Sequence, residues 1–181
     1  MNTIGMIELN SIAKGVETAD FMIKAAAVDL IVSKTICPGK YLILIAGDVG
    51  AVNSSVDAGL ASGGQFIVDS LVISRVHPDL ISAINQSTDV GEVNSVGVIE
   101  YFSIATAILG ADAAAKAARV KLIEVRLGIG IGGKAFVTLS GDVSAVNEAV
   151  EAGARVGKEK GMLVTKVVIP SPRKEVFYKL L

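Results

Sequence analysis

One pattern occurs twice along this 181-residue chain, and that repetition constrains its fold more than any other feature. GMIELNSIAKGVETADFMIKAAAVDLI from Gly5 matches GVIEYFSIATAILGADAAAKAARVKLI from Gly97, with Gly, Ile, Glu, Ser-Ile-Ala, Ala-Asp, Lys-Ala-Ala, Val and Leu-Ile in step. GKYLILIAGDVGAVNSSVDAG from Gly39 matches GKAFVTLSGDVSAVNEAVEAG from Gly133, and VISRVH near Ile73 answers VVIPSPR near Ile169. The offset grows from 92 (Gly5 to Gly97) to 94 (Gly39 to Gly133), so the loop between the two blocks is two residues longer in the second copy. Internal self-similarity on this scale marks a duplicated structural unit. Two domains are expected, 1–94 and 95–181, with the polar stretch NQSTDVGEVNS as the linker between them.

Each copy reads as strand, helix, strand, loop, strand, helix, strand. IGMIELN alternates apolar and polar residues, as a half-buried strand does. SIAKGVETADFMIKAAA opens on a serine cap and repeats apolar residues at helical spacing. VDLIVSKT and KYLILIAG are β-rich runs on either side of Cys37, GDVGAVNSSVDAGLASG begins a second helix at Asp48, and QFIVDSLVIS closes the sheet. Two tandem βαββαβ units follow, each an antiparallel sheet with its helices on one face, an α+β fold.

Composition narrows the function. The net charge of −1 includes no long basic run, which argues against a nucleic-acid partner. No stretch of about 18 uncharged apolar residues suggests a membrane span. The opening MNTIGMIELN lacks the basic start and apolar run of a secretory signal, and a single cysteine excludes an intrachain disulfide and suits a reducing cytosol. Mean hydropathy is nevertheless +0.59. With neither membrane nor secretion to account for it, extensive contact between subunits is the expectation.

The run ADxxxKAAxV, a strand, a Gly-rich loop, GDVxAV, AG and a closing IPxP resembles the shell domains of bacterial microcompartments. Both copies carry it, although copy one ends in ISRVHP where copy two has the full IPSP. The resemblance implies tandem-domain subunits that form homotrimers mimicking a six-domain hexagonal tile. Such tiles pack edge to edge with other shell proteins in the shell of an organelle within the cytoplasm. It places Lys24 and Lys116 at tile edges. It also places the two strand-connecting loops at the tile centre, so that Ile36, Cys37, Pro38, Gly39, Gly130, Ile131 and Gly132 line a pore.

Cys37 by itself reads as a small, partly buried hydrophobe, the usual state of a lone cysteine. SKTICPGK resembles the pore loop of tandem-domain shell proteins from propanediol-utilisation compartments. That resemblance implies a [4Fe–4S] cluster ligated by Cys37 from each of three chains, with electron passage or cofactor supply to enclosed redox enzymes as its role. The alternative is a cluster-free tile whose pore conducts a small metabolite; a trimeric ligand sensor on the same fold is a third possibility.

GIGIGGKA, residues 128–135, satisfies GxGxxG through Gly128, Gly130 and Gly133, and GxxxxGK through Lys134. Phosphate binding at such a loop needs a helix directly after it. AFVTLSG reads instead as a strand, and Ala135 lacks the hydroxyl that would hold Mg²⁺. Lys40 and Lys134 follow the two loops, and Glu8 and Glu100 recur at equivalent strand positions as a shared structural contact. His77 reads as a turn residue beside Pro78. No nucleophile, base and orienting group appear together, so no enzyme is expected.

Overall fold

A computed structural model describes residues 3–91, 93–173 and 175. The chain divides into two compact units, Met1–Val76 with Ile129–Gly132, and His77–Gly128 with Gly133–Leu181. The first contains β1 (Thr3–Leu9), α1 (Ile12–Ala25), β2 (Asp29–Ile36), β3 (Lys40–Gly47), α2 (Val49–Gly63), a 3-10 turn (Gly64–Phe66) and β4 (Ile67–Ser74). The second contains α3 (Asp79–Ile84), β5 (Ser95–Tyr101), α4 (Ile104–Ala117), β6 (Val120–Leu127), β7 (Ala135–Gly141), α5 (Val143–Glu159) and β8 (Leu163–Pro170).

Both sheets are antiparallel, ordered β2-β3-β1-β4 and β6-β7-β5-β8, and the α+β expectation holds in each. The repeat extends to irregularities. Register shifts fall between Glu8 and Leu9 and again between Glu100 and Tyr101. A second pair falls between Leu30 and Val32, and between Leu122 and Glu124. The turns leaving β4 and β8 each hold one left-handed non-glycine residue, Arg75 at φ 54° and Ser171 at φ 48°.

Strand alternation decides what each face meets. Ile7 and Leu9 join Tyr41, Ile43 and Ile45 under the helices, where Ala19, Met22, Val52 and Val56 complete a buried core. Ile4, Met6 and Glu8 point the other way, paired across the sheet with Ala46, Leu44 and Leu42. Ser11 and Ser103 cap α1 and α4 by accepting from the backbone N–H groups of Lys14 and Thr106, as the sequence predicts.

The helix α3 is not foreseen by the sequence pattern. It packs against β6 and α4, burying Leu80, Ala83 and Ile84. The approach to it is fixed by a hydrogen bond from the His77 backbone N–H to Asp112 Oδ1 at 2.8 Å, and His77 Nδ1 accepts from the Asp79 N–H. The polar stretch that follows is no free tether. Gln86 Nε2 donates to Glu124 Oε1 at 2.7 Å, and Val90 and Val93 pack on Val96 and Ile123.

Candidate functional site

The two strand-connecting loops differ in construction. In the first unit β2 and β3 pair as far as Ile36 and Lys40, leaving residues 37–39 to turn the chain. The Cys37–Pro38 peptide bond is cis and Gly39 adopts φ 76°, a left-handed conformation that favours glycine. Ile36 is buried, Cys37 half-buried, and Pro38 and Gly39 exposed. A cavity of about 340 Å³ lies beside the turn, lined by Ile12, Thr35, Ile36, Cys37, Gly39 and Ile129, all grouped with the first unit.

In the second unit β6 and β7 pair as far as Leu127 and Ala135, and residues 128–134 connect them. Gly128, Gly130, Gly132 and Gly133 all have φ between 64° and 80°. Four left-handed residues in so short a span require a glycine-rich sequence, which explains the false nucleotide motif. The loop runs into β7, so it lacks the helix that must directly follow a GxGxxG or GxxxxGK phosphate cradle. Gly130 and Gly132 are exposed and Ile131 is half-buried.

The lysine after each loop is engaged. Lys40 Nζ lies 2.6 Å from Glu8 Oε1, and Lys134 Nζ lies 2.5 Å from Glu100 Oε1. Glu8 faces Leu42 across the sheet and Lys40 stands two residues earlier on the same face; Glu100, Phe136 and Lys134 repeat the arrangement. The recurring glutamates therefore each answer a recurring lysine, and both loops end in a neutralised pair. Beside the second pair, Arg126 stacks 5.2 Å over the Phe136 ring and bonds Glu124.

The helical lysines are paired as well. Lys24 reaches Asp20 at 2.6 Å and Lys116 reaches Asp112 at 2.5 Å, each one turn back along its helix. Both cations sit in the last turn, where they complement the helix dipole. The Lys24 pair is largely exposed, whereas Asp112 is buried and also holds the His77 backbone.

The expectation of a [4Fe–4S] cluster is corrected. Among the described residues no group of three or more His, Cys, Asp or Glu stands together where it could hold a metal ion. Cys37 is the chain's single, free thiol, and its neighbours around the cavity are Ile12, Thr35, Ile36, Gly39 and Ile129. A cubane takes four cysteine ligands, and this loop offers one.

A βαββαβ unit built twice, with unlike loops at equivalent places, defines a tandem-domain structural component. The BMC domain model matches residues 3–76 and 95–172, and the chain belongs to the BMC-domain shell proteins of bacterial microcompartments. It is 45% identical over 177 residues to the bacterial microcompartment shell protein PduT of Citrobacter freundii, covering 98% of this chain and 96% of that protein. It is 31% identical over 182 residues to the carboxysome assembly protein CcmO of Synechococcus elongatus, covering 93% of this chain and 65% of the relative. The crystal structure of a microcompartment protein from Desulfitobacterium hafniense DCB superposes with a TM-score of 0.95 at 50% identity, covering 98% of this chain and 99% of that one. The protein is thus a structural shell component of the PduT type, and not an enzyme.

Proposed function

We propose that three copies close into a ring in which domains 1–94 and 95–181 alternate, a pseudo-hexameric tile. Its centre is a pore lined by Ile36, Cys37, Pro38 and Gly39 from one kind of domain and by Gly130, Ile131 and Gly132 from the other. The pore conducts a small uncharged metabolite. Lys24 and Lys116 lie at the tile edge, where other shell proteins meet it. With the cluster withdrawn, nothing singles out enclosed redox enzymes as partners.

The observation that carries this reading is the charge state of the loops. Neither residues 36–39 nor residues 130–132 include an ionisable side chain other than the Cys37 thiol, and the lysine that follows each loop is tied to a glutamate. Such a lining offers backbone dipoles and apolar contact, with no ring of fixed charge to select ions. Ring closure satisfies every subunit edge without leaving open ends.

Sedimentation of the full chain at micromolar concentration is expected to give three times the chain mass, and a monomer there would overturn the ring. For the pore, Gly132→Trp in intact reconstituted shells should slow entry of glycerol, a neutral probe, by about threefold or more through steric narrowing. Equal entry rates would remove the pore from the reading.

A further inference from the structure

We propose that residues 86–91 form a latch over the second sheet, which lifts on its own while the rest of that unit stays folded. The latch stands or falls independently of the ring.

The path of the segment is set by the fold around it. Helix α3 packs beside β6, and β5 lies two strands further in, in the order β6-β7-β5-β8. Between them the chain crosses the sheet, where Val90 and Val93 pack against Val96 and Ile123. The face it crosses is the one turned away from the helices, because Val96 alternates with Gly97, which sits under Val146 and Val150 of α5. The fastenings of the segment are few. Among the described residues, no backbone–backbone hydrogen bond is made by Thr88, Asp89, Val90 or Gly91. Gln86 supplies a side-chain bond, 2.7 Å to Glu124 Oε1, from a left-handed backbone at φ 54° that glutamine rarely adopts.

What lies beneath is unlike the same place in the first unit. Val32, Leu44 and Ala46 there are replaced by Glu124, Thr138 and Ser140, and all six are buried. Glu124 pairs with Thr138 across β6 and β7, and Ser140 stands two residues further along the same face. Glu124 Oε1 accepts from Gln86 and Arg126, but Oε2 has no partner among the described residues. Thr138 Oγ1, Ser140 Oγ and, on the latch itself, Thr88 Oγ1 have none either, and all four atoms are sealed from solvent. A cavity of about 230 Å³, lined by Gln86, Thr88 and Val90 from the latch and by Ile123 and Glu124 from the strand, keeps the two surfaces from packing closely.

Closing the segment over these groups takes them out of water and gives nothing in return, and lifting it restores their hydration. The apolar counterparts in the first unit would gain from the same covering. The docked form is therefore held weakly, whereas the strands beneath it keep the stability of the whole unit. Segments with few buried contacts and few backbone hydrogen bonds are those that open first.

The test places a cysteine under the latch, Ser140→Cys in a Cys37→Ser background, and follows its reaction with iodoacetamide in the full chain. Labelling is expected to be at least about a hundredfold faster than that of Val137→Cys, on the helix-facing side of the same strand, and independent of protein concentration. Thr138→Val removes one unpaired hydroxyl at nearly constant shape and should slow labelling by about threefold or more. Gln86→Met removes the bond to Glu124 and should speed it by about threefold or more. Equal labelling of the two cysteines overturns the latch. So does a rate that falls as protein concentration rises, which would mean that subunits must part first. Faster labelling with Thr138→Val would show that the hydroxyl has a partner and overturns it as well. If Ser140→Cys does not fold, the urea midpoint of Thr138→Val in the otherwise unaltered chain decides: it should hold or rise, and a fall overturns the latch.

Discussion

Leu9 faces Tyr41 across the first sheet; at the equivalent place in the second, Tyr101 faces Ala135. One tyrosine fills the same layer in both copies, but from opposite strands. What the duplication keeps is one tyrosine per pair, and not the strand that supplies it. The helix above adjusts to match. In the first unit Gly15 makes room, since a Cβ there would stand 2.4 Å from the Tyr41 ring, and its counterpart is Ala107. In the second Gly110 does so, with a Cβ falling 2.1 Å from the Tyr101 hydroxyl, and its counterpart is Thr18. The hydroxyls fare differently. Tyr41 exchanges a hydrogen bond with Ser33 at 2.9 Å, whereas the counterpart of that serine in the second copy is Val125 and the Tyr101 hydroxyl has no hydrogen-bond partner among the described residues. Burial pushes the Tyr101 phenol well above the usual tyrosine range.

The harshest way to break this comparison is Gly110→Ala. The new methyl cannot coexist with Tyr101, and a cost of about 3 kcal/mol is expected, at the upper end for overpacking. Leu9→Tyr with Tyr41→Ala should fail by a similar amount, because Thr18 occupies the space that Gly110 leaves open. Adding Thr18→Gly should recover most of the loss. Urea midpoints at fixed protein concentration read both, since assembly contributes to apparent stability. A transplant tolerated without Thr18→Gly would show that the glycines are incidental.

The duplicated ion pairs give a smaller contrast. The Glu8 side chain is 6% exposed and that of Glu100 is 28%. Lys40→Met strands a buried carboxylate and should cost about 2 kcal/mol, while Lys134→Met should cost under about 1 kcal/mol because water reaches its partner. Equal losses in denaturant titration would mean that the difference in burial does not matter.

The smallest effects separate the hydroxyls by sign. Tyr41→Phe should lose about 1 kcal/mol with its hydrogen bond, and Tyr101→Phe should be neutral or stabilising by up to about 1 kcal/mol, because no bond is lost. The pH dependence follows. The folded Tyr101 keeps its proton above pH 10 while the unfolded chain releases it, so the native state binds more protons and stability falls as pH rises there. The fall should be steeper in wild type than in Tyr101→Phe by up to about 1.4 kcal/mol per pH unit. Parallel curves between pH 10 and 11 would count against the buried phenol.

The repeat, the order of elements along each copy and the serine cap were legible because each rests on local spacing. The partner of each recurring glutamate was not. Glu8 and Lys40 are far apart in sequence, and only the antiparallel register brings them onto one diagonal. Helix α3 escaped notice because six residues carry too little periodicity, and its stability comes from Leu80 and Ile84 packing on the second unit. The traded tyrosines are hidden from alignment, which sets Tyr101 against Leu9 and Tyr41 against Ala135 as two unrelated mismatches. The cluster expectation came from the likeness of a single loop, which the side chains around Cys37 do not extend into a ligand set.

The traded tyrosines also bear on how such a gene can change. Two similar coding stretches in tandem invite recombination between them. A crossover falling between the first and third strands would join Leu9 to a residue like Ala135, or Tyr101 to a residue like Tyr41. One product leaves a hole the size of a phenol ring beneath the helices, and the other forces two rings into the space of one. Neither folds well. The exchange of one side chain across a sheet thus keeps the halves of the gene from homogenising each other, and lets the two loops go on diverging.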